Sequence, residues 1–135
     1  MGDLFSSQWM KCFLNEWNDE PGLAKDLAQI KFSSNIGYGF KNEQHPRGVI
    51  VVTKGKATSA GEFDGEKLDW DLRADIKDWE QWFRNPPGMM ALGIAYSSKK
   101  LKFKAGEYAA IIKNPSIAAP FVKSFMVMAR VRFDS

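Results

Sequence analysis

Nucleophilic catalysis by serine or cysteine needs an imidazole or comparable base within hydrogen-bond reach. This 135-residue chain has one histidine and one cysteine. His45, between Gln44 and Pro46, reads as part of an exposed inter-strand loop, and Cys12 falls beside an aromatic stripe at helical spacing, as a small apolar residue would. Zinc needs several His and Cys ligands, and two distant residues do not supply them. Asp69, Asp71 and Asp75 alternate with Leu68, Trp70 and Leu72, so they are expected on a solvated strand face rather than in an acid/base pair. Gly37-Tyr38-Gly39 lacks the third glycine of a dinucleotide fingerprint, because Asn42 stands there, and no Gly-rich loop is followed by Lys-Ser or Lys-Thr. Lys100, Lys102 and Lys104 form a basic row, but Leu101 and Phe103 project to the opposite face and cannot stack bases beside those charges. The expectation is a protein with no catalytic residues, no metal, no cofactor and no nucleic-acid partner.

What remains is apolar surplus. The chain has 5 Trp, 3 Tyr and 10 Phe. At roughly 150 Å² or more per ring, that is on the order of 3,000 Å² of aromatic surface for one small core. Two clusters stand out: Trp79, Trp82, Phe83, Met89, Met90 and Leu92, and then Phe121, Phe125, Met126 and Met128. Methionine is flexible and polarisable, so such walls suit a cavity that accepts hydrophobic ligands of varied shape. Periodicity does not separate a filled core from a hollow one, and both readings stay open at this point.

The elements that must position these residues follow from the patterning. The length is that of one domain, residues 1–135, without repeats or linkers. Trp9, Phe13 and Trp17 at i, i+4, i+8 predict a first helix capped by Ser6 or Ser7 and ended by Asn18-Asp19-Glu20-Pro21-Gly22. A short helix with Leu23, Leu27 and Ile30 inward is expected next. Ile36, Tyr38 and Phe40 alternate, Val49–Val52 is a β-branched run, and Asp64-Gly65 signals a hairpin before the alternating strand Leu68–Ala74. Asp78 is the expected cap of a helix carrying Trp79, Trp82 and Phe83. Met89–Tyr96 is apolar nearly all round, as a helix buried on every side would be. A strand with Lys100, Lys102 and Lys104 toward solvent and a final helix with Phe121, Phe125 and Met128 complete an α+β arrangement.

Charge is unevenly placed. Eight basic and two acidic residues from Gly93 onward carry +6, while the first 92 residues carry −3, for a net +3. Such a region suits an anionic membrane as well as it suits plain solvation. One cysteine, no apolar run of spanning length, no signal-like Met1–Gln8 segment and an Arg132-Phe133-Asp134-Ser135 ending unlike a peroxisomal address together point to a cytoplasmic protein.

From Leu68 to Lys113 the order of elements resembles the sterol carrier protein type 2 family. The residues that carry the likeness are the strand Leu68–Asp75, the short helix Asp78–Phe83, the apolar helix Met89–Tyr96, and Lys100-Leu101-Lys102-Phe103-Lys104-Ala105-Gly106 before Tyr108-Ala109-Ala110-Ile111-Ile112. The resemblance implies a five-stranded, largely antiparallel sheet covered by helices and enclosing an apolar tunnel for fatty-acyl, sterol-like or similar lipids. Carried over by position, Trp79, Trp82, Phe83, Met89, Met90 and Leu92 wall the tunnel, and Phe121, Phe125 and Met126 close one end. Ser98-Lys99 replaces the glycine that usually opens the Lys-Leu-Lys strand. The reading is a non-catalytic lipid carrier that docks transiently on anionic membrane through Lys100, Lys102 and Lys104, with a homodimer left open. An accessory domain presenting a hydrophobic substrate to a separate enzyme is the alternative, followed by a small pocket enzyme using an Asp or Tyr.

Overall fold

The computed structural model describes residues 4–131, so the first three residues and the Arg132–Ser135 ending discussed above lie outside the described residues. Helix α1 spans Ser7–Asp19, and Ser6 caps it by accepting the Trp9 amide at 3.3 Å. Its buried stripe is Trp9, Met10, Phe13 and Trp17, as the spacing predicts. The chain then makes a π turn over Pro21–Lys25 that runs into the short helix α2, Asp26–Gln29. Leu23 and Leu27 are buried there. Ile30, expected beside them, is 40% exposed because the helix has ended at Gln29 and its period no longer places the side chain.

The strands are β1 Ser34–Phe40, β2 Gly48–Thr53, β3 Lys56–Glu62, β4 Trp70–Ala74 and β5 Lys102–Ala105. They form one sheet in the order β3-β2-β1-β4-β5. Neighbours are antiparallel except β1 and β4, which run parallel with Ile36 opposite Trp70 and Tyr38 opposite Leu72. Helices α3 (Ile76–Arg84), α4 (Met89–Ser97), α5 (Tyr108–Ile112) and α6 (Pro115–Ala129) complete the α+β architecture expected of the sequence.

Several local expectations are corrected. Strands β3 and β4 are not neighbours, so Asp64-Gly65 is not a hairpin; it is a turn in the long connection between them, with Gly65 at φ +85°. The tight hairpin is Lys54-Gly55 between β2 and β3, with φ of 50° and 87°, the positive pair that a type I′ turn requires. Strand β3 itself, Lys-Ala-Thr-Ser-Ala-Gly-Glu, has one β-branched residue and carries little strand signal. Its small residues instead let α1 lie close along it. Asn18 of α1 also reaches β3, donating to the Ala57 carbonyl and accepting the Ala57 amide, both at 2.9 Å. Asp75, not Asp78, occupies the cap position of α3.

The polar side of β4 is the largest correction. Asp71 and Arg73 are 6% and 1% exposed, because loop 41–47 folds over that face of the sheet. Gly37 and Gly39 stand opposite Asp71 and Arg73 in β1 and leave room for the loop. A Cβ at Gly39 would come within 2.8 Å of the Pro46 Cα. Arg73 donates to both Asp71 carboxylate oxygens, at 2.6 and 2.9 Å, and to the Phe40 and Glu43 carbonyls at 3.3 and 2.9 Å. The buried charges are therefore paired and satisfied. Helix α4 is the converse case: only Leu92 and Ala95 are buried, while Met90 and Ile94 are 81% and 62% exposed.

Candidate ligand site

The helix-covered face of the sheet has two unlike ends. At one, Phe5 packs its ring against Trp9, Tyr38, Phe40 and Trp79 at centroid distances of 5.2, 5.7, 5.9 and 5.1 Å. Trp79 continues the cluster to Trp82 and Phe125 at 5.2 and 6.1 Å. Its indole N–H donates to the Gly39 carbonyl at 2.9 Å. This end is filled by its own side chains.

At the other end lies an apolar cavity of about 30 Å³. Ile36 and Tyr38 of β1 and Trp70 and Leu72 of β4 form its floor, Trp17, Leu23, Leu27 and Phe32 one side, and Ile111 of α5 with Ile117, Pro120, Phe121 and Ser124 of α6 the roof. The parallel pairing of β1 with β4 puts the four floor residues on one face. The resting space holds about one or two waters, against roughly 300 Å³ or more for a usual small-molecule pocket, so a ligand would have to part the walls.

Helix α6 is suited to such movement. Asn114 caps it by accepting the Ser116 amide at 3.1 Å, but Pro120 inside it has no N–H to donate, so the Ser116 carbonyl lacks its helical partner. Past that point the helix is tethered at its C-terminal end, where Arg130 pairs with Glu20. The Arg130 hydrogen bond holds the Glu20 carboxyl below its usual range.

Polar groups at the cavity are few. The Trp17 indole donates to the Gly55 carbonyl at 3.0 Å, and the Ser124 hydroxyl to the Phe121 carbonyl. Tyr38 is 2% exposed, and burial pushes its phenol well above the usual tyrosine range, so it stays a neutral hydroxyl. Among the described residues no partner takes that hydroxyl. Tyr38 and Ser124 are the hydroxyl-bearing residues among those that line the cavity.

The residues singled out from sequence distribute over three places. Trp79, Trp82, Leu92 and Phe125 are buried in the core and Phe83 packs half-buried against it. Phe121 lines the cavity. Met89, Met90 and Met126 are 39%, 81% and 43% exposed. Lys100, Lys102 and Lys104 are exposed on and just before β5. In the sequence the floor residues Ile36, Tyr38, Trp70 and Leu72 carry only a strand pattern; their meeting depends on a β1–β4 pairing that local patterning does not encode.

None of the aspartates lines the cavity. Asp69 accepts the Asn35 amide at 2.8 Å, Asp71 is bound by Arg73, and Asp75 lies 3.8 Å from Lys41. His45 stacks on Phe63 in its loop. Among the described residues no three His, Cys, Asp or Glu come together to hold a metal ion, and no helix is long and apolar enough to cross a membrane.

No protein-family model matches the sequence, and no curated protein does. Solved structures do match. The chain is similar to a crystal structure of sterol carrier protein 2, with a TM-score of 0.76 at 18% identity over 96% of this chain and 100% of that one. It is similar to a conserved hypothetical protein of Thermus thermophilus described as possibly a sterol carrier protein, with a TM-score of 0.64 at 17% identity over 96% of this chain and 87% of that one. It is also similar to the ubiquinone synthesis protein UbiJ-SCP2, with a TM-score of 0.57 at 9% identity over 88% and 86% of the two chains. The fold is that of sterol carrier protein 2.

Proposed function

We propose that this chain, acting as one unit over residues 1–135, binds a fatty-acyl, sterol-like or similar lipid between its sheet and α6 and carries it without altering it. The observation behind this reading is the apolar cavity floored by β1 and β4 and roofed by a helix with a missing hydrogen bond at Pro120. Each methylene removed from water contributes about 0.8 kcal/mol, so roughly ten of them supply the ~8 kcal/mol of micromolar binding, less the cost of parting the walls. The Tyr38 hydroxyl meets an oxygen on the ligand. Trp79, Trp82, Phe83, Leu92 and Phe125 form the closed wall behind it, Phe121 faces the ligand, and Met89, Met90 and Met126 stand at the outer surface. Lys100, Lys102 and Lys104 guide the protein to anionic membrane, at about 1 kcal/mol for each basic residue near the surface.

The test is native mass spectrometry of freshly purified protein, paired with solvent extraction and titration with a fluorescent fatty acid. A co-purified lipid and a displaceable fluorescent signal are expected. Recovery of none, with no fluorescent binding, overturns the reading. The likeness to UbiJ-SCP2 favours one second reading, an accessory that presents a hydrophobic substrate to a separate enzyme. It predicts a partner enzyme whose activity rises when this protein is added.

A further inference from the structure

Among the described residues, helix α4 exposes four large apolar side chains, more than any other element; Ile30, Ile76, Ile112 and Met126 are exposed singly elsewhere. Met90 and Ile94 sit one turn apart on its outer side at 81% and 62% exposure, with Met89 and Tyr96 at 39% and 43% on the margin. Burying them against the core was the natural expectation for so apolar a helix. Instead Leu92 and Ala95 alone make that contact.

What surrounds the exposed face decides its partner. From Met89 to Gly106 there are four lysines and no acidic residue. The chain folds back directly after α4, with the Lys100 and Leu101 amides bonded to the Ala95 carbonyl, so β5 begins beside the helix end. Tyr96 and Ser97 of the helix share one surface groove with Lys99, Lys102 and Lys104. Tyr96 also packs its ring on Tyr108 at 4.5 Å and on Phe103 at 5.9 Å, which fixes helix and strand as one surface. None of these lysines pairs with a carboxylate among the described residues. An apolar helix face followed at its C-terminal end by a cluster of lysines complements a surface that is negative outside and hydrocarbon within.

We propose that α4 is a membrane-insertion element: Met90 and Ile94 enter the acyl region of an anionic bilayer while Lys99, Lys100, Lys102 and Lys104 rest on its headgroups. Nine residues make a helix about 13 Å long, far short of a span, so α4 lies in the interface plane. The inference deepens the docking step proposed above and rests on it, but it does not require that a ligand occupy the cavity.

The experiment is co-sedimentation with phosphatidylglycerol vesicles and with phosphatidylcholine vesicles, at low and high salt. Three proteins are compared: the unmodified chain, a Met90→Ser/Ile94→Ser variant, and a Lys100→Gln/Lys102→Gln/Lys104→Gln variant. All substituted positions are exposed, so unchanged circular dichroism is expected and verifies folding. The unmodified chain should prefer phosphatidylglycerol. The serine variant should lose about tenfold or more in partitioning at both salt levels, as removal of buried apolar side chains demands. The glutamine variant should lose mainly the salt-sensitive part. Equal binding by the serine variant, failure of the unmodified chain to bind, or a dimer in solution that the serine variant breaks would each overturn the inference. Fluorescent fatty-acid titration of the unmodified chain in solution reports on carriage separately. Absent vesicle binding with intact fatty-acid binding sinks the inference alone, and the reverse result sinks the carrier reading alone.

Discussion

The two ends of the helix-covered sheet face are built from similar material and behave differently. Around Phe5 and Trp79, flat rings meet edge to face and stacked in a closely packed cluster. Around Ile36 and Leu72, branched aliphatic side chains from five separate segments converge under a proline-interrupted helix, and a cavity remains. Both ends carry aromatic rings, since Trp17, Phe32, Tyr38, Trp70 and Phe121 line the cavity, so ring content does not separate them. What sets the cavity end apart is the mixing of those rings with Ile36, Leu72, Ile111 and Ile117 beneath the proline-interrupted α6.

The strongest test of that contrast is Trp79→Ala, which should cost about 3–5 kcal/mol in guanidinium unfolding, because a large ring leaves a void that rigid neighbours cannot close. Fatty-acid affinity, measured under conditions where the variant stays folded, should change little. A variant that instead stayed stable and bound more ligand would erase the distinction between the two ends. Ser124→Val acts at the other end with opposite sign: filling the cavity should raise stability by about 1 kcal/mol and weaken ligand binding. Tyr38→Phe should leave stability within about 0.5 kcal/mol, since the hydroxyl gives up no partner, and should weaken binding of a fatty acid or fatty alcohol about tenfold while sparing a plain hydrocarbon of equal length. Equal effects on both ligands would show that the hydroxyl is not what the ligand meets.

The smallest effect concerns pH. The Glu20 carboxyl is held below its ordinary value of 4.5 by Arg130, so the tether at the end of α6 is complete above that value and is lost as pH falls through the lower, folded-state one. Ligand exchange followed by stopped flow should quicken across that acid range, and Glu20→Gln should flatten the profile. A profile unchanged by the substitution would remove the tether from the opening step.

How much of this is legible in the sequence varies with the distance over which information travels. The stripe of α1, its Ser6 cap, the strand with its lysine face and the overall α+β plan are local periodicities, and they were readable. Strand β3 was not, because packing against α1 and pairing with β2 stabilise it in place of its own propensities. The polarity of Asp71 and Arg73 predicts solvent, whereas loop 41–47 supplies cover and the Glu43 carbonyl, and the end of β1 supplies the Phe40 carbonyl. For the site, Phe121 was reachable from the apolar pattern of α6. Tyr38 and Leu72 were not, since they lie 34 residues apart and are joined by a non-local parallel pairing.

The Asn18 contact has a consequence for how this molecule behaves in company. Strand β3 is the outer strand on one side of the sheet, and its unpaired amides and carbonyls are the groups that recruit foreign strands. By bonding both the amide and the carbonyl of Ala57, the Asn18 carboxamide imitates one residue of a neighbouring strand and occupies that position. The opposite margin, β5, has four residues, two of them lysines. Each margin of the sheet thus has its own guard against edge-to-edge aggregation, a side-chain amide on one and brevity with charge on the other.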